Sequence, residues 1–116
     1  MPDMTSTTIP DLRNTALTMF RAAIQAADPA PALRRHLRTD PLPPLTGGCY
    51  IVIAVGKAAG AMMAEALAHL PPETERVALA VTNYENARDI PGCTVMAAGH
   101  PVPDEAGEAA GQAIIA

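Results

Sequence analysis

The chain has 116 residues, a net charge of −4, 49% apolar residues and only 3% aromatic ones. That length allows one small domain with a core of Ala, Val, Ile, Leu and Met, but not a two-domain enzyme. The acidic balance argues against non-specific binding to nucleic acid or an anionic membrane, and no run approaches the roughly 20 apolar residues that cross a bilayer.

The start, Met1-Pro2-Asp3-Met4-Thr5-Ser6, is acidic and polar, without the basic and apolar regions of a secretory signal. A cytoplasmic setting is expected. Cys49 and Cys93 each border an apolar run with no metal-ligand spacing between them, which suits two reduced, buried thiols.

Thr8-Ile9-Pro10-Asp11 predicts a helix start: a Thr cap, proline in the first turn and an acid three residues after the cap. Leu12, Ala16, Phe20, Ala23, Ile24 and Ala27 then recur at helical spacing, until Asp28-Pro29 ends the helix. A shorter basic helix is expected from about Ala30 to Arg38, its Arg34, Arg35 and Arg38 facing solvent and lacking the interleaved aromatics of a nucleic-acid site. His36 and His69 are likewise expected in solvent. Asp40 to Gly48 is a Pro- and Gly-rich loop.

Tyr50 to Val55 is an unbroken, β-branched apolar run, the pattern of a strand covered on both faces. A helix follows from Ala58 to Leu70, stopped by Pro71-Pro72. Arg76 to Thr82 predicts a second strand, Asn83 to Gly92 a polar loop, and Cys93 to Ala98 a third strand. Gly99-His100-Pro101-Val102-Pro103-Asp104-Glu105 leads into a last helix, whose first turn favours the proline and the acids. The succession indicates an α/β fold: an incomplete Rossmann-like, mostly parallel sheet flanked by helices. Ending at Ala113-Ile114-Ile115-Ala116, inside an apolar helical pattern without a cap, the chain reads as a fragment of a longer protein.

Sheets of this kind bind ligands outside the carboxyl ends of their strands, the edge where the turns at Gly56-Lys57, Asn83 and Gly99-His100 fall. Lys57 is the only lysine; the other basic residues are arginines. An ammonium at a helix start opposes the partial positive charge already there, unless an anion binds against both. A carboxylate or phosphate is therefore expected at Gly56 and Lys57. In the alternative, Gly56 and Gly60 serve packing and Lys57 points to water. The segment is neither a Walker A loop, since no Ser or Thr follows the lysine, nor a full dinucleotide fingerprint, since Ala54 stands where the leading glycine belongs. Pro101 and Pro103 stiffen the loop presenting His100, which suits a hydrogen-bond donor or proton carrier near neutral pH. The alternative is a histidine bonded to its own loop backbone. No arrangement of His, Cys, Asp and Glu suggests a metal site.

Val55-Gly56-Lys57-Ala58-Ala59-Gly60-Ala61-Met62, Val81-Thr82, and above all Ala98-Gly99-His100-Pro101-Val102-Pro103-Asp104-Glu105-Ala106-Gly107 resemble the N-terminal domain of the glycerate 2-kinase family. Its members are often labelled hydroxypyruvate reductase. The resemblance runs from about Leu12 to the end and includes Asp28 to Leu37. It implies that residues 1–116 are the truncated N-terminal part of a Rossmann-like domain whose C-terminal partner domain is absent. It also implies ATP- and Mg²⁺-dependent phosphorylation of D-glycerate to 2-phosphoglycerate, with Lys57 catalytic and Gly56, Lys57 and His100 at the substrate. Asn83-Tyr84-Glu85-Asn86-Ala87-Arg88 departs from the Gly-containing loop usual in the family. A reductase or a non-catalytic anion-binding module are the competing readings. The reductase lacks both the leading glycine and an acid ending the second strand.

Overall fold

The computed structural model describes residues 6–116; the remainder, on which the reading of the polar start falls, lies outside the described residues. Helices α1 (Ile9–Ala27) and α2 (Pro29–Thr39) come first, followed by β1 (Tyr50–Val55), α3 (Ala59–His69), β2 (Arg76–Asn83), a 3₁₀ turn (Tyr84–Asn86), β3 (Thr94–Ala98) and α4 (Glu105–Ile115). The strands form one parallel sheet in the order β1-β2-β3. Ile51 lies opposite Val77, Val55 opposite Val81, and Val81 opposite Met96.

Local chemistry accounts for the boundaries. Thr8 caps α1 through a reciprocal pair: its hydroxyl accepts from the Asp11 N–H, while the Asp11 carboxylate accepts from the Thr8 N–H at 3.0 Å. Asp28 ends α1 and caps α2, accepting from the Ala30 N–H at 3.2 Å.

The core lies on one face of the sheet. Met63, Ala78, Ala80 and Ile90 are buried together, with Val52, Ala54, Leu67, Cys93 and Val95 packed around them. On this side α3 packs against β1 and β2, and α2 packs against α3. The opposite face is covered by α4, which packs on β3. Beyond that cover Ile51 is 69%, Val55 65% and Val77 58% exposed. The expectation of a first strand covered on both faces is therefore wrong for β1. A continuous apolar run shows that a strand prefers burial, not that both sides have found a partner. The apolar stripe of α1 is also uncovered: Leu12, Phe20 and Ile24 are exposed, and no residue of α1 is buried. In consequence the chain exposes 8682 Å², against roughly 6,000 Å² for a folded monomer of its mass.

Other expectations need correction. Cys49 is exposed and only Cys93 is partly covered. Arg34 is not simply solvated but paired with Glu65, and His69 is partly covered, its Nδ1 2.9 Å from the Glu65 carbonyl oxygen. A Cβ at Gly60 would meet Arg88 and Ile90 at 3.7–3.9 Å, an ordinary contact, so close helix–strand packing does not require that glycine. Among the described residues no helix is long and apolar enough to cross a membrane.

Candidate functional site

The carboxyl ends of the three strands open onto three loops, as the topology requires. In the first, the β1–β2 ladder continues one step beyond β1: the Gly56 N–H donates to the Val81 carbonyl at 2.9 Å. The chain then reverses at φ +119°, a backbone region that side chains disfavour, and the Gly56 carbonyl accepts from the Ala59 N–H at 3.1 Å. Lys57 stands exposed on this turn. Helix α3 begins immediately after it with Ala58 in the cap position, no side-chain cap and no acid in the first turn. Its leading N–H groups and Lys57 thus present positive charge to the same rim. The ion pairs among the described residues, Arg34–Glu65, His36–Asp40 and His69–Glu65, do not involve Lys57.

The second loop carries a polar network. The Asn83 amide donates to Glu85 Oε2 at 2.5 Å, and Asn83 Oδ1 accepts from Asn86 Nδ2 at 2.7 Å and from the buried Thr82 hydroxyl at 3.3 Å. The backbone N–H of Glu85 and the Asn83 amide hold the Glu85 carboxyl below its usual pKa, and positive charge at His100 and Lys57 acts in the same direction. Glu85 thus lies within electrostatic reach of both Lys57 and His100.

The third loop is closed by Asp104, the N-cap of α4. Its Oδ1 accepts from the Gly99 and Gly107 N–H groups, both at 3.0 Å. Its Oδ2 accepts from the Tyr84 hydroxyl at 2.5 Å. These bonds, the one from Tyr84 first, lower the Asp104 pKa, and the same carboxylate raises that of Tyr84. His100 is exposed at the head of the loop, and among the described residues its ring makes no hydrogen bond to the loop backbone.

Gly56, Lys57 and His100 thus share one rim, Gly56 shaping the turn and the other two supplying charge. Tyr84, Glu85 and Asp104 join them. Asp104 stands in the segment that carries the family resemblance and suits a helix start, but nothing in the sequence pairs it with Tyr84, 20 residues away. Three or more His, Cys, Asp or Glu side chains placed to hold a metal are not found among the described residues. The arrangement can bind an anion between the α3 N-terminus and Lys57, with a histidine and a carboxylate alongside.

Residues 15–116 match a family described as a domain of unknown function, DUF4147. Over 98 residues, 84% of this chain, the sequence is 35% identical to an Agrobacterium vitis protein provisionally named hydroxypyruvate reductase, of which it covers 21%. The fold is similar to that of glycerate kinase from Thermotoga maritima, with a TM-score of 0.77 and 28% identity, over 91% of this chain and 24% of that one. The chain therefore spans about a fifth to a quarter of the length of these relatives.

Proposed function

The chain belongs to the DUF4147 family, and from that membership we propose that it is the amino-terminal part of an ATP-dependent glycerate 2-kinase. In this reading it converts D-glycerate to 2-phosphoglycerate once the rest of its Rossmann-like domain and a C-terminal domain are in place. The observation that carries the reading is the placement of Lys57 beside a helix start without a side-chain cap on the sheet's carboxyl rim, in a fold similar to a glycerate kinase.

Phosphoryl transfer asks a protein mainly for positioning and for neutralisation of developing charge. Lys57 Nζ and the first N–H groups of α3 would hold the substrate carboxylate or the transferring phosphoryl oxygens, and Gly56 lets the backbone turn tightly beneath them. His100 would donate a hydrogen bond to the same anion. When bound, Mg²⁺–ATP supplies the phosphoryl group and offsets its charge.

The test uses the product of the complete open reading frame. ATP and D-glycerate should yield ADP, and phosphorus NMR should identify 2-phosphoglycerate. Lys57→Met should lower kcat/KM by about 10²–10³-fold, the range for loss of one transition-state donor. Undiminished phosphorylation by that variant would overturn the assignment of Lys57. Hydroxypyruvate-dependent oxidation of NADH without ADP formation would replace the kinase by a reductase. Residues 1–116 alone should turn over neither substrate pair.

A further inference from the structure

The bond between Tyr84 and Asp104 joins two loops that leave different strands, and the Asp104 carboxylate also closes its own loop. One of its oxygens takes the N–H groups of Gly99 and Gly107, while the other takes the Tyr84 hydroxyl. The loop from Gly99 to Asp104 is therefore fastened at its first residue by the side chain of its last. Gly99 leaves the room for this: a Cβ there would lie 2.9 Å from Asp104 Oδ2 and 2.6 Å from the Val102 carbonyl oxygen. Pro101 and Pro103 fix φ within the loop, so little freedom remains between the fastened ends. His100 sits inside this closed loop. Glu85 follows Tyr84 directly, within the same 3₁₀ turn.

We propose that Tyr84 and Asp104 form a latch between the second and third rim loops, making both of them positioning residues that set His100 and Glu85 against Lys57. The inference rests on the kinase reading for its kinetic readout, but not for its structural one. Neither residue needs to touch substrate. Asp104 holds the loop that carries His100, and Tyr84 ties that loop to the turn that carries Glu85. Displacing a positioned group by about 1 Å can cost up to about a hundredfold in rate, so loss of the latch acts on kcat more than on KM.

Tyr84→Phe is the discriminating variant, because it removes the bond between loops and leaves Asp104 free to cap α4 through Gly99 and Gly107. In the product of the complete open reading frame, Tyr84→Phe should lower kcat about tenfold or more, with KM for D-glycerate within about twofold. Thermal stability should stay close to that of the parent. Asp104→Asn should lower kcat at least as much, because it also weakens the bonds from Gly99 and Gly107, and Tyr84→Phe added to it should cost little more, since the bond between the loops is already lost. The proton NMR resonances of the His100 ring should move in Tyr84→Phe, although no bond to His100 has been removed. Unchanged kcat together with an unmoved His100 resonance in Tyr84→Phe would overturn the latch. So would strictly additive effects in the double variant. If the parent protein phosphorylates nothing, the kinase reading fails, while the latch is then decided by the His100 resonance alone.

Discussion

Arg34 grips Glu65 with two parallel hydrogen bonds, Nε to Oε1 and Nη2 to Oε2, both 2.7 Å, and so fastens α2 to α3. The Glu65 side chain is only 10% exposed there. The bond from Arg34 lowers the Glu65 pKa, with His69 and Arg38 adding to the same direction. Two-pronged pairing of this kind depends on the flat guanidinium, which lysine cannot reproduce. Arg34→Lys should therefore loosen α2 nearly as much as Arg34→Ala. In hydrogen exchange, the α2 amides of both variants should become less protected while those of β2 stay as they were. The loss of global stability should be small beside that of Met63→Ala, which empties a fully buried core position and should cost about 2–5 kcal/mol. Equal protection of α2 in parent and variants would show that apolar contacts alone hold it.

Gly56 and Gly60 stand in one short motif and should respond in opposite ways. At Gly56 nothing lies within 4 Å of an added Cβ, but φ is +119°, so alanine meets backbone strain alone. Gly56→Ala should cost about 1–3 kcal/mol. Gly60 is helical, and its Cβ would meet only ordinary contacts with Arg88 and Ile90. Gly60→Ala should gain about 0.5–1 kcal/mol from improved helix propensity. Urea unfolding of both variants checks the pair, and a destabilised Gly60→Ala would restore the packing role that its motif suggests.

What the sequence could convey follows the range of the interactions involved. The Thr8–Asp11 box, the stop at Asp28-Pro29 and the three apolar strands are local, and the residues that set them lie within a few positions of one another. The rim could be placed as well, because parallel strands joined by helices put Gly56-Lys57, Asn83 and Gly99-His100 at the same edge. Cover could not be read. Ile51 and Val55 look as buried as Val52 and Ala54, and only the position of α4 over β3 decides which face of β1 is left open. The stripe of α1 was plain, but a helical period states a preference and names no partner. Tyr84 and Asp104 were invisible as a pair for a related reason. A hydroxyl and a carboxylate so far apart in sequence meet only when β2 and β3 lie in register.

Gly99 tests the closure of the third loop by a route independent of charge. Its φ is not in the left-handed region, so alanine is excluded by space and not by backbone preference. The added Cβ would lie 2.6 Å from the Val102 carbonyl oxygen and 3.0 Å from Asp104 Cγ. A backbone carbonyl cannot yield without opening the loop. Gly99→Ala should cost about 1–3 kcal/mol, the range for an overfilled site. It should also release the Gly99 and Gly107 amides to faster exchange, whereas Gly56→Ala should leave both protected. Full protection of these amides in Gly99→Ala would show that the carboxylate closes the loop without needing the space.

Titration should reveal the same closure from both ends of the pH scale. The Asp104 pKa is lowered in the folded protein, by the bond from Tyr84 first and by those from Gly99 and Gly107 next. A depressed carboxyl stabilises the fold above its unfolded pKa, near 3.9, and loses that contribution as pH falls through the lower folded value. Glu65 acts in the same sense from its own unfolded value, near 4.3. The Tyr84 pKa is raised by its bond to Asp104, so its contribution is complete below the unfolded value, near 10, and disappears as pH rises through the folded one. Stability should thus form a plateau at neutral pH with a fall at each side. Asp104→Asn should shrink the acid limb to the part due to Glu65, Glu85 and Asp11 and remove the alkaline limb with it, whereas Tyr84→Phe should remove the alkaline limb and shrink the acid one only in part, since Gly99 and Gly107 still bond the carboxylate. Urea midpoints measured from about pH 2 to 5 and above about pH 10 distinguish these outcomes. An acid limb unchanged in Asp104→Asn would mean that Tyr84, Gly99 and Gly107 bind the aspartic acid as well as the aspartate, and that the loop is held by its prolines instead.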